Sequence, residues 1–172
     1  MKLNNIYRLK HIIRYANVQR VSNENVAEHS FFVSANILEL AKDYNFDVGK
    51  AVLMSTVHDM PEIYLDDISH AIKSEFPTIA KAHKDAEEVV IKKFSPLVQE
   101  LFAEYEKQDT VEALIVKLAD IYQCIQYANH EISLGNGGYM KEVLEGSTKL
   151  VKIQKEKISK NYPESIKGLS DD

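Results

Sequence analysis

Apolar residues recur every three or four positions along most of this chain, a spacing that predicts helices. The clearest example follows Asn25-x-x-Glu28, which has the form of a capping box at the start of a helix. One inward stripe runs from this cap to about Tyr44 and consists of Val26, His29, Val33, Ile37 and Leu40. We find no convincing strand pattern in the sequence. The periodicity therefore predicts an all-α fold.

Prolines mark further helix boundaries. A second helix is predicted from near residue 47 to about residue 60, because Pro61 disfavours the helical conformation of the residue before it. The segment 62–73 has weak periodicity, which predicts a broken helix or a loop. Helical stripes follow at 78–94 and after Ser95-Pro96, where proline takes the first helical position.

The most apolar segment begins at a second possible capping box, Asp109-x-x-Glu112, and continues to Gly135. Its sequence, VEALIVKLADIYQCIQYANHEISL, is apolar on most faces, so this helix is predicted to be central and buried. The glycine cluster GNGGY predicts a loop, and a last amphipathic helix is predicted over 140–160. Because single domains usually have about 100 to 200 residues, we expect one domain over 1–172.

Composition excludes several functions. The formal net charge of -5 argues against non-specific binding of a nucleic acid polymer, which needs a basic face to displace counterions. No run of about 18 apolar residues is present, and the start MKLNNIYRLKHII has no uninterrupted apolar block. We therefore expect no membrane partner and a cytoplasmic location. The single cysteine, Cys124, cannot form an internal disulfide and is predicted to be a buried thiol.

The central helix carries a carboxylate in its middle. An ionised Asp120 is costly to bury there unless a positive group compensates it, and Lys117, one turn earlier, is a possible ion-pair partner. His29 interrupts an apolar stripe, where a lone histidine is more often a hydrogen-bonded core residue than a ligand. The dipeptide His58-Asp59 is uninformative by itself.

Together, these residues place two imidazoles and two carboxylates on the inward faces of three core helices, at His29, His58, Asp59 and Asp120. This combination indicates a metal site. Mixed nitrogen and oxygen ligands suit a divalent transition ion such as Mn, Co, Fe, Ni or Zn, whereas Mg and Ca prefer oxygen ligands. Adjacent helical residues diverge by about 100°, so the His-Asp pair can share one ion only over the groove between them.

The order His, His-Asp and a distant Asp in a helical chain resembles the HD-domain metal-dependent phosphohydrolases. The segments RLKHIIRYANVQRVSNENVAEHS, HDMPE and VKLAD resemble those of the YfbR-type 5'-deoxynucleotidases, over roughly residues 7–130. The resemblance implies an HD-domain helical bundle that removes the 5'-phosphate of deoxyribonucleoside monophosphates. It also implies that the two histidines and two aspartates bind one divalent transition metal ion.

The resemblance implies roles for further residues. Glu62 matches the glutamate that activates or orients the nucleophilic water, although without the family context an exposed glutamate at a helix end is an equal alternative. Arg14 matches the arginine that holds phosphate, a task that suits a bidentate guanidinium. Tyr15 stands where the family commonly has Trp beside the base or sugar, which leaves the base preference open.

Three assignments come from more divergent sequence. Asp67 matches an acidic residue near the sugar and the catalytic water, and Lys73 lies in the segment that can supply a second phosphate cation. Lys117 is either a third cation for substrate or the ion-pair partner of Asp120. The resemblance further implies a homodimer, and the Phe31-Phe32 pair is predicted to lie in the core or at the subunit interface.

Two other functions stay open at this stage. Some phage relatives of this family cleave deoxynucleoside triphosphates such as dATP to the deoxynucleoside and triphosphate, which would require additional cations at Lys73 and Lys117. A non-catalytic nucleotide-binding module is the other alternative, and it would be expected to lack a metal ligand or the water-positioning acid. The sequence lacks neither of these. The absence of a P-loop and of a GxSxG motif argues against a kinase, an ATPase or a covalent hydrolase.

Overall fold

The computed structural model describes residues 3–167, and the described part is all-α, as predicted. Its helices are α1 Val26–Leu40, α2 Val48–Val57, α3 Glu62–Leu65, α4 His70–Glu75, α5 Pro77–Ile91, α6 Pro96–Lys107, α7 Val111–Ser133 and α8 Tyr139–Asn161. Short 3-10 helices lie at Leu3–His11 and Pro163–Ser165. Within 3–167 the only bridges between extended residues are two isolated pairs, Ile13 with Asn25 and Tyr44 with Ile166.

Helix α7 forms the centre of the fold and packs against α1, α2, α6 and α8. Its residues Leu114, Ile115 and Leu118 are fully buried, which confirms the prediction of a central helix. Complete burial of each such side chain stabilises the fold by roughly 1.5 to 3 kcal/mol. A second apolar cluster joins the amino-terminal segment to α1, α3, α5 and α6. The functional side chains described below lie where these two clusters meet.

Helix α1 begins at the predicted capping box. The Asn25 side chain accepts the Glu28 amide at 3.0 Å, and the Glu28 carboxylate accepts the Asn25 amide at 3.2 Å. All five residues of the predicted stripe are buried. The cap therefore sets where α1 begins, and in this helix His29 lies on the face that packs against α7.

The end of α1 differs from the prediction. The helix stops at Leu40, four residues before Tyr44, and the residues between them form turns. The backbone then pairs with the carboxyl-terminal segment, where the Lys167 amide donates to the Asp43 carbonyl at 2.8 Å. This pairing across 124 positions competes with further helical hydrogen bonds, and no local pattern in α1 encodes it.

The predicted capping box at the start of α7 is wrong. The N-cap is Thr110, which has an extended backbone. Its side-chain oxygen accepts a hydrogen bond from the Ala113 amide at 3.3 Å. Asp109 lies one residue too early to cap the first turn. Glu112 instead accepts the Asp47 amide at 3.0 Å, which ties the start of α7 to the start of α2.

The segment after α2 creates the geometry of the site. Helix α2 ends at Val57, three residues earlier than predicted, and residues 58–61 form turns that lead into the four-residue helix α3. The Glu62 amide donates to the Asp59 carbonyl at 3.1 Å. A non-helical stretch at 66–69 separates α3 from α4, which confirms the predicted broken helix. Consequently the histidine-aspartate pair and the following glutamate lie on consecutive turns.

The Phe31-Phe32 pair lies at the surface of the protein. Phe31 and Phe32 are 67% and 48% exposed, so the prediction that they lie in the core is wrong and only the interface alternative stays a prediction. Within the described part of the chain, no helix combines the length and apolar character needed to cross a membrane.

The corrected cap of α7 can be tested by substitution. Thr110→Ala is expected to lower the free energy of unfolding by about 1 kcal/mol, because the Ala113 amide loses its acceptor. Asp109→Ala, the matched control, is expected to change it by less than about 0.5 kcal/mol. Urea denaturation followed by circular dichroism measures both values, and a larger loss for Asp109→Ala would contradict the assignment.

Candidate active site

The four predicted metal ligands converge on one point. His29 comes from α1, His58 and Asp59 from the turn after α2, and Asp120 from the middle of α7. The His29 Nε2 atom lies 3.3 Å from His58 Nε2, 3.4 Å from Asp59 Oδ2 and 3.2 Å from Asp120 Oδ1. His58 Nε2 is also 3.3 Å from Asp59 Oδ2. The structure thus brings together all four residues.

The other nitrogen of each imidazole is already hydrogen-bonded. His29 Nδ1 lies 2.7 Å from the side-chain carbonyl of Gln123, and His58 Nδ1 lies 2.7 Å from the Ser55 backbone carbonyl. Both partners are acceptors, so each ring carries its proton on Nδ1 and turns the lone pair of Nε2 towards the cluster. Such partners are typical of histidines that bind metal.

The donor set fits a divalent cation. Two imidazole lone pairs face each other, and the buried Asp59 Oδ2 atom has no hydrogen-bond partner among the described residues. The ligand atoms of His29, His58 and Asp120 lie within 4.8 Å of one another. Without a cation, these electron-rich atoms would repel each other in a region of low dielectric constant.

Both aspartates are held in the charged form. Burial raises the pKa of Asp120, but Lys117 and His29 outweigh it and hold this pKa well below its usual range. Burial likewise raises the pKa of Asp59, while His58, His29 and Arg14 lower it, and the net shift is downward. Burial also lowers the pKa of His29. The cluster therefore offers charged carboxylates, the form in which aspartate binds metals.

Lys117 is the ion-pair partner of Asp120. Its Nζ atom lies 2.8 Å from Asp120 Oδ2, while Asp120 Oδ1 faces the two histidines. The ion pair holds one carboxylate oxygen and leaves the other for the cluster. The half-exposed Lys117 side chain is therefore already paired, which is the second of the two alternatives that the sequence left open for it.

Glu62 lies one turn beyond Asp59 and is buried, so the alternative of an exposed helix-end glutamate is wrong. Its Oε2 atom has no hydrogen-bond partner among the described residues. Burial, then the charges of Asp59 and Asp67, raise the pKa of Glu62 well above its usual range. Burial also raises the pKa of Asp67, and Arg14 and then Lys73 oppose both shifts. Glu62, Asp67 and Lys73 therefore influence one another beside the cluster.

Arg14 reaches the cluster from the segment before α1. Its Nη1 atom lies 3.6 Å from Asp59 Oδ2, its Nε atom 3.4 Å from Glu24 Oε2, and its Nη2 atom 3.6 Å from the sulfur of Cys124. Only 12% of the Arg14 side chain is exposed. Cys124 is half-buried, and burial raises the pKa of its thiol. The thiol thus packs beside the guanidinium instead of acting as a nucleophile.

Tyr15 has a left-handed backbone, with φ of 54°. This conformation is uncommon for a residue with a side chain and directs the ring onto Tyr127, with centroids 5.1 Å apart and planes 9° from parallel. The Arg14 guanidinium lies 5.7 Å from the centre of the Tyr15 ring. Tyr15 is therefore fixed beside the arginine predicted to hold phosphate.

A buried carboxylate anchors the loop that follows Tyr15. Glu131, near the end of α7, accepts the amides of Val21 and Ser22 at 2.8 and 2.6 Å. It also accepts the side-chain amide of Asn136 at 2.6 Å. These hydrogen bonds satisfy a fully buried charge and hold the loop against α7.

Sequence reasoning missed two residues of the site, Glu24 and Gln123. The Gln123 side chain donates to Glu24 and accepts from His29, and both residues are buried. Burial raises the pKa of Glu24 to about 7, although Arg14 and Gln123 favour its charged form. The two positions lie 99 residues apart. Glu24 lies in the segment that resembles the family but carries no role from that resemblance, and Gln123 lies outside the matching segments. The glutamine on the inward face of α7, one turn after Asp120, was the only available signal.

Comparisons with known proteins agree with this geometry. The family model described as "HD domain" matches residues 6–165. The chain is 31% identical to a 5'-deoxynucleotidase of Vibrio vulnificus, covering 75% of this chain and 73% of that protein. It is 32% identical to a 5'-deoxynucleotidase of Photorhabdus temperata, covering 77% and 74%.

Solved structures show the same fold. A protein of Pyrococcus horikoshii superposes with a TM-score of 0.75 at 28% identity, over 91% of this chain and 93% of that chain. An HD phosphohydrolase of cyanophage S-2L, bound to dA and one catalytic Zn2+ ion, superposes with a TM-score of 0.65 over 95% and 96%. Because the cyanophage protein is 20% identical to this chain, the comparison with it shows a shared fold alone.

The donor cluster predicts stoichiometric metal binding. After chelation and dialysis against Mn, Co or Zn, we expect one ion per chain by elemental analysis. His29→Ala and Asp120→Ala are each expected to weaken binding by at least about 100-fold, the upper range for loss of an outer partner alone. His11→Ala, at an exposed histidine, serves as the control and should bind normally. Equal binding by all three variants would contradict the site.

Proposed function

The chain belongs to the HD-domain family, and from this membership we propose that it removes the 5'-phosphate of deoxyribonucleoside monophosphates. The family and the relatives named 5'-deoxynucleotidases make it a hydrolytic enzyme. The observation that supports this reaction most is the cluster of four donors, with Arg14 in contact with Asp59 and a buried Glu62, whose Oε2 atom lacks a partner among the described residues, one turn beyond Asp59. The products would be a deoxynucleoside and inorganic phosphate.

The enzyme would hold its divalent metal ion through His29, His58, Asp59 and Asp120. Two nitrogen and two carboxylate donors favour Mn, Co, Fe, Ni or Zn over Mg and Ca. When bound at these residues, such an ion supplies a Lewis acid for phosphate oxygens and lowers the pKa of water.

Arg14 would bind the phosphate of the substrate. Its contacts to Glu24 and Asp59 are 3.4 and 3.6 Å long, so they orient the guanidinium without occupying all of its donors. A guanidinium offers two parallel N–H groups to two phosphate oxygens, which fixes the orientation of the phosphoryl group. Lys73 would add a second positive charge, and Tyr15 would form a wall of the pocket beside Arg14.

Glu62 would position the attacking water and accept its proton. Burial and the neighbouring carboxylates raise its pKa, which makes its Oε2 atom a better base near neutral pH. As the water oxygen bonds to phosphorus, the bond to the 5'-oxygen breaks, and that oxygen takes a proton from solvent and leaves as the hydroxyl of the deoxynucleoside. Glu62 then returns the proton that it accepted to solvent. Asp67 would sit on the sugar side of this water.

The two other functions have less support. A triphosphate substrate requires additional free cations, and Lys117 is already bound to Asp120 at 2.8 Å. The relatives above are also named for monophosphate chemistry, as 5'-deoxynucleotidases. A non-catalytic module does not account for a retained Glu62 with a free buried oxygen. The homodimer, and a substrate limited to deoxynucleotides, stay predictions.

The substrate can be tested with a nucleotide panel. The metal-loaded protein is incubated separately with dAMP, dTMP and dATP, and the released phosphate species are identified by ion chromatography. We expect inorganic phosphate from the monophosphates and no triphosphate from dATP, with AMP as the control for sugar selectivity. Release of triphosphate from dATP without monophosphate turnover would overturn the proposal in favour of the triphosphohydrolase.

Glu62 provides a separate test of the mechanism. Glu62→Gln keeps the size of the side chain but cannot accept the proton, so kcat is expected to fall by about 10² to 10⁴-fold. Metal and nucleotide affinity should remain, because the substituted atom is not a ligand of either. Glu100→Gln, at an exposed glutamate of α6, is the control and should retain full activity. Unchanged kcat in Glu62→Gln would exclude Glu62 as the base.

A further inference from the structure

Glu24 and Gln123 connect the proposed metal site to the proposed phosphate-binding arginine. We propose that they act as a positioning pair, which fixes the imidazole of His29 for metal binding and the guanidinium of Arg14 for phosphate binding. This inference rests on the proposed function and assigns roles to two residues to which the family resemblance gave none.

The contacts form one continuous chain through the buried site. His29 Nδ1 lies 2.7 Å from Gln123 Oε1, and Gln123 Nε2 donates to Glu24 Oε1. The second carboxylate oxygen, Glu24 Oε2, lies 3.4 Å from Arg14 Nε, an ion-pair contact that does not have hydrogen-bond geometry. His29 is fully buried and Gln123 is 2% exposed, so water has little access to these atoms.

The direction of these hydrogen bonds determines which nitrogen of His29 can bind a cation. An ionised carboxylate can only accept, so ionised Glu24 requires Gln123 to present its NH2 group. The carbonyl of Gln123 then faces His29, and because it too can only accept, the proton of His29 must lie on Nδ1. The lone pair is thereby placed on Nε2, the atom that faces His58, Asp59 and Asp120.

The same carboxylate restrains Arg14. Glu24 contacts the Nε atom, which leaves the terminal nitrogens for Asp59 and for a phosphate group. The backbones are also paired, because the Arg14 amide donates to the Glu24 carbonyl at 2.9 Å. Arg14 and Glu24 therefore keep their relative positions, and one carboxylate serves both halves of the site.

A comparison with Gln154 separates positioning from simple packing. Gln154 is also buried, on α8, but its side chain donates only to the backbone carbonyl of Leu114, at 2.9 Å. Replacing either glutamine with leucine removes a buried amide from the core. Only the change at Gln123 removes a partner of a proposed metal ligand.

The first experiment compares Gln123→Leu with Gln154→Leu as full-length proteins freed of metal by chelation, at pH 8. Calorimetric titration with Mn or Co is expected to give a 10 to 100-fold weaker Kd for Gln123→Leu, the range found when an outer partner of a metal ligand is lost. Gln154→Leu is expected to unfold at a lower temperature and to keep the wild-type Kd.

A charge exchange provides the rescue. Gln123→Glu alone places two carboxylates in contact and is expected to weaken metal binding. In the double variant Glu24→Gln/Gln123→Glu, the carboxylate at 123 accepts from His29 Nδ1 and from the amide at 24, whose carbonyl faces Arg14. Every contact and the net charge are retained, so the double variant is expected to regain a Kd within a few-fold of the wild type.

Two further measurements detect positioning directly. Glu24→Gln alone presents an N–H group to Arg14, so the KM for dAMP is expected to rise about tenfold with a smaller change in kcat. The imidazole 15N resonances of metal-free protein should show the His29 proton on Nδ1 in the wild type and lose this signature in Gln123→Leu.

The outcomes are distinguishable. A wild-type Kd and Nδ1 signature in a folded Gln123→Leu variant would overturn the inference while leaving the proposed function intact. If Gln123→Leu does not fold, failure of the double variant to bind better than Gln123→Glu would overturn it instead. Absence of metal binding and hydrolysis in the wild type itself would overturn both the proposed function and this inference.

Discussion

Electrostatic repulsion among buried donor atoms is the constraint on which the rest of this structure depends. At the meeting point of three helical segments, His29 Nε2 lies 3.2 to 3.4 Å from His58 Nε2 and from one oxygen each of Asp59 and Asp120. Arg14 and Lys117 compensate part of the negative charge from opposite sides. The close approach of the remaining lone pairs is favourable only around a cation. Without one, this preformed metal site lowers the stability of the fold.

The fold meets this constraint by fixing each donor on a rigid support. Helix α7 contributes Asp120 from the best-buried part of the core, and the capping box of α1 sets the rotation of His29. The turns between α2 and α3 bring His58 and Asp59 together and place Glu62 one turn farther on. Glu131 holds the loop beyond Arg14 against α7.

The carboxylates of this site have opposite pKa shifts, which separates their proposed roles. Lys117 and His29 hold the pKa of Asp120 below its usual range, as suits a ligand that stays charged. At Glu62, burial and the nearby charges of Asp59 and Asp67 outweigh Arg14 and Lys73 and raise its pKa, as suits a base. The different surroundings of these two carboxylates therefore suit them to different chemical roles.

The sequence by itself determined the helices, the cap at Asn25 and the identity of the proposed ligands, because periodicity, capping and motif order are local properties of the chain. It placed the cap of α7 one residue early and extended α1 too far, since neighbouring segments compete for those backbone groups. Only the tertiary structure decided that Gln123 meets Glu24 across 99 positions and that Tyr15 takes a left-handed backbone. Such contacts depend on how helices pack, which no local pattern encodes.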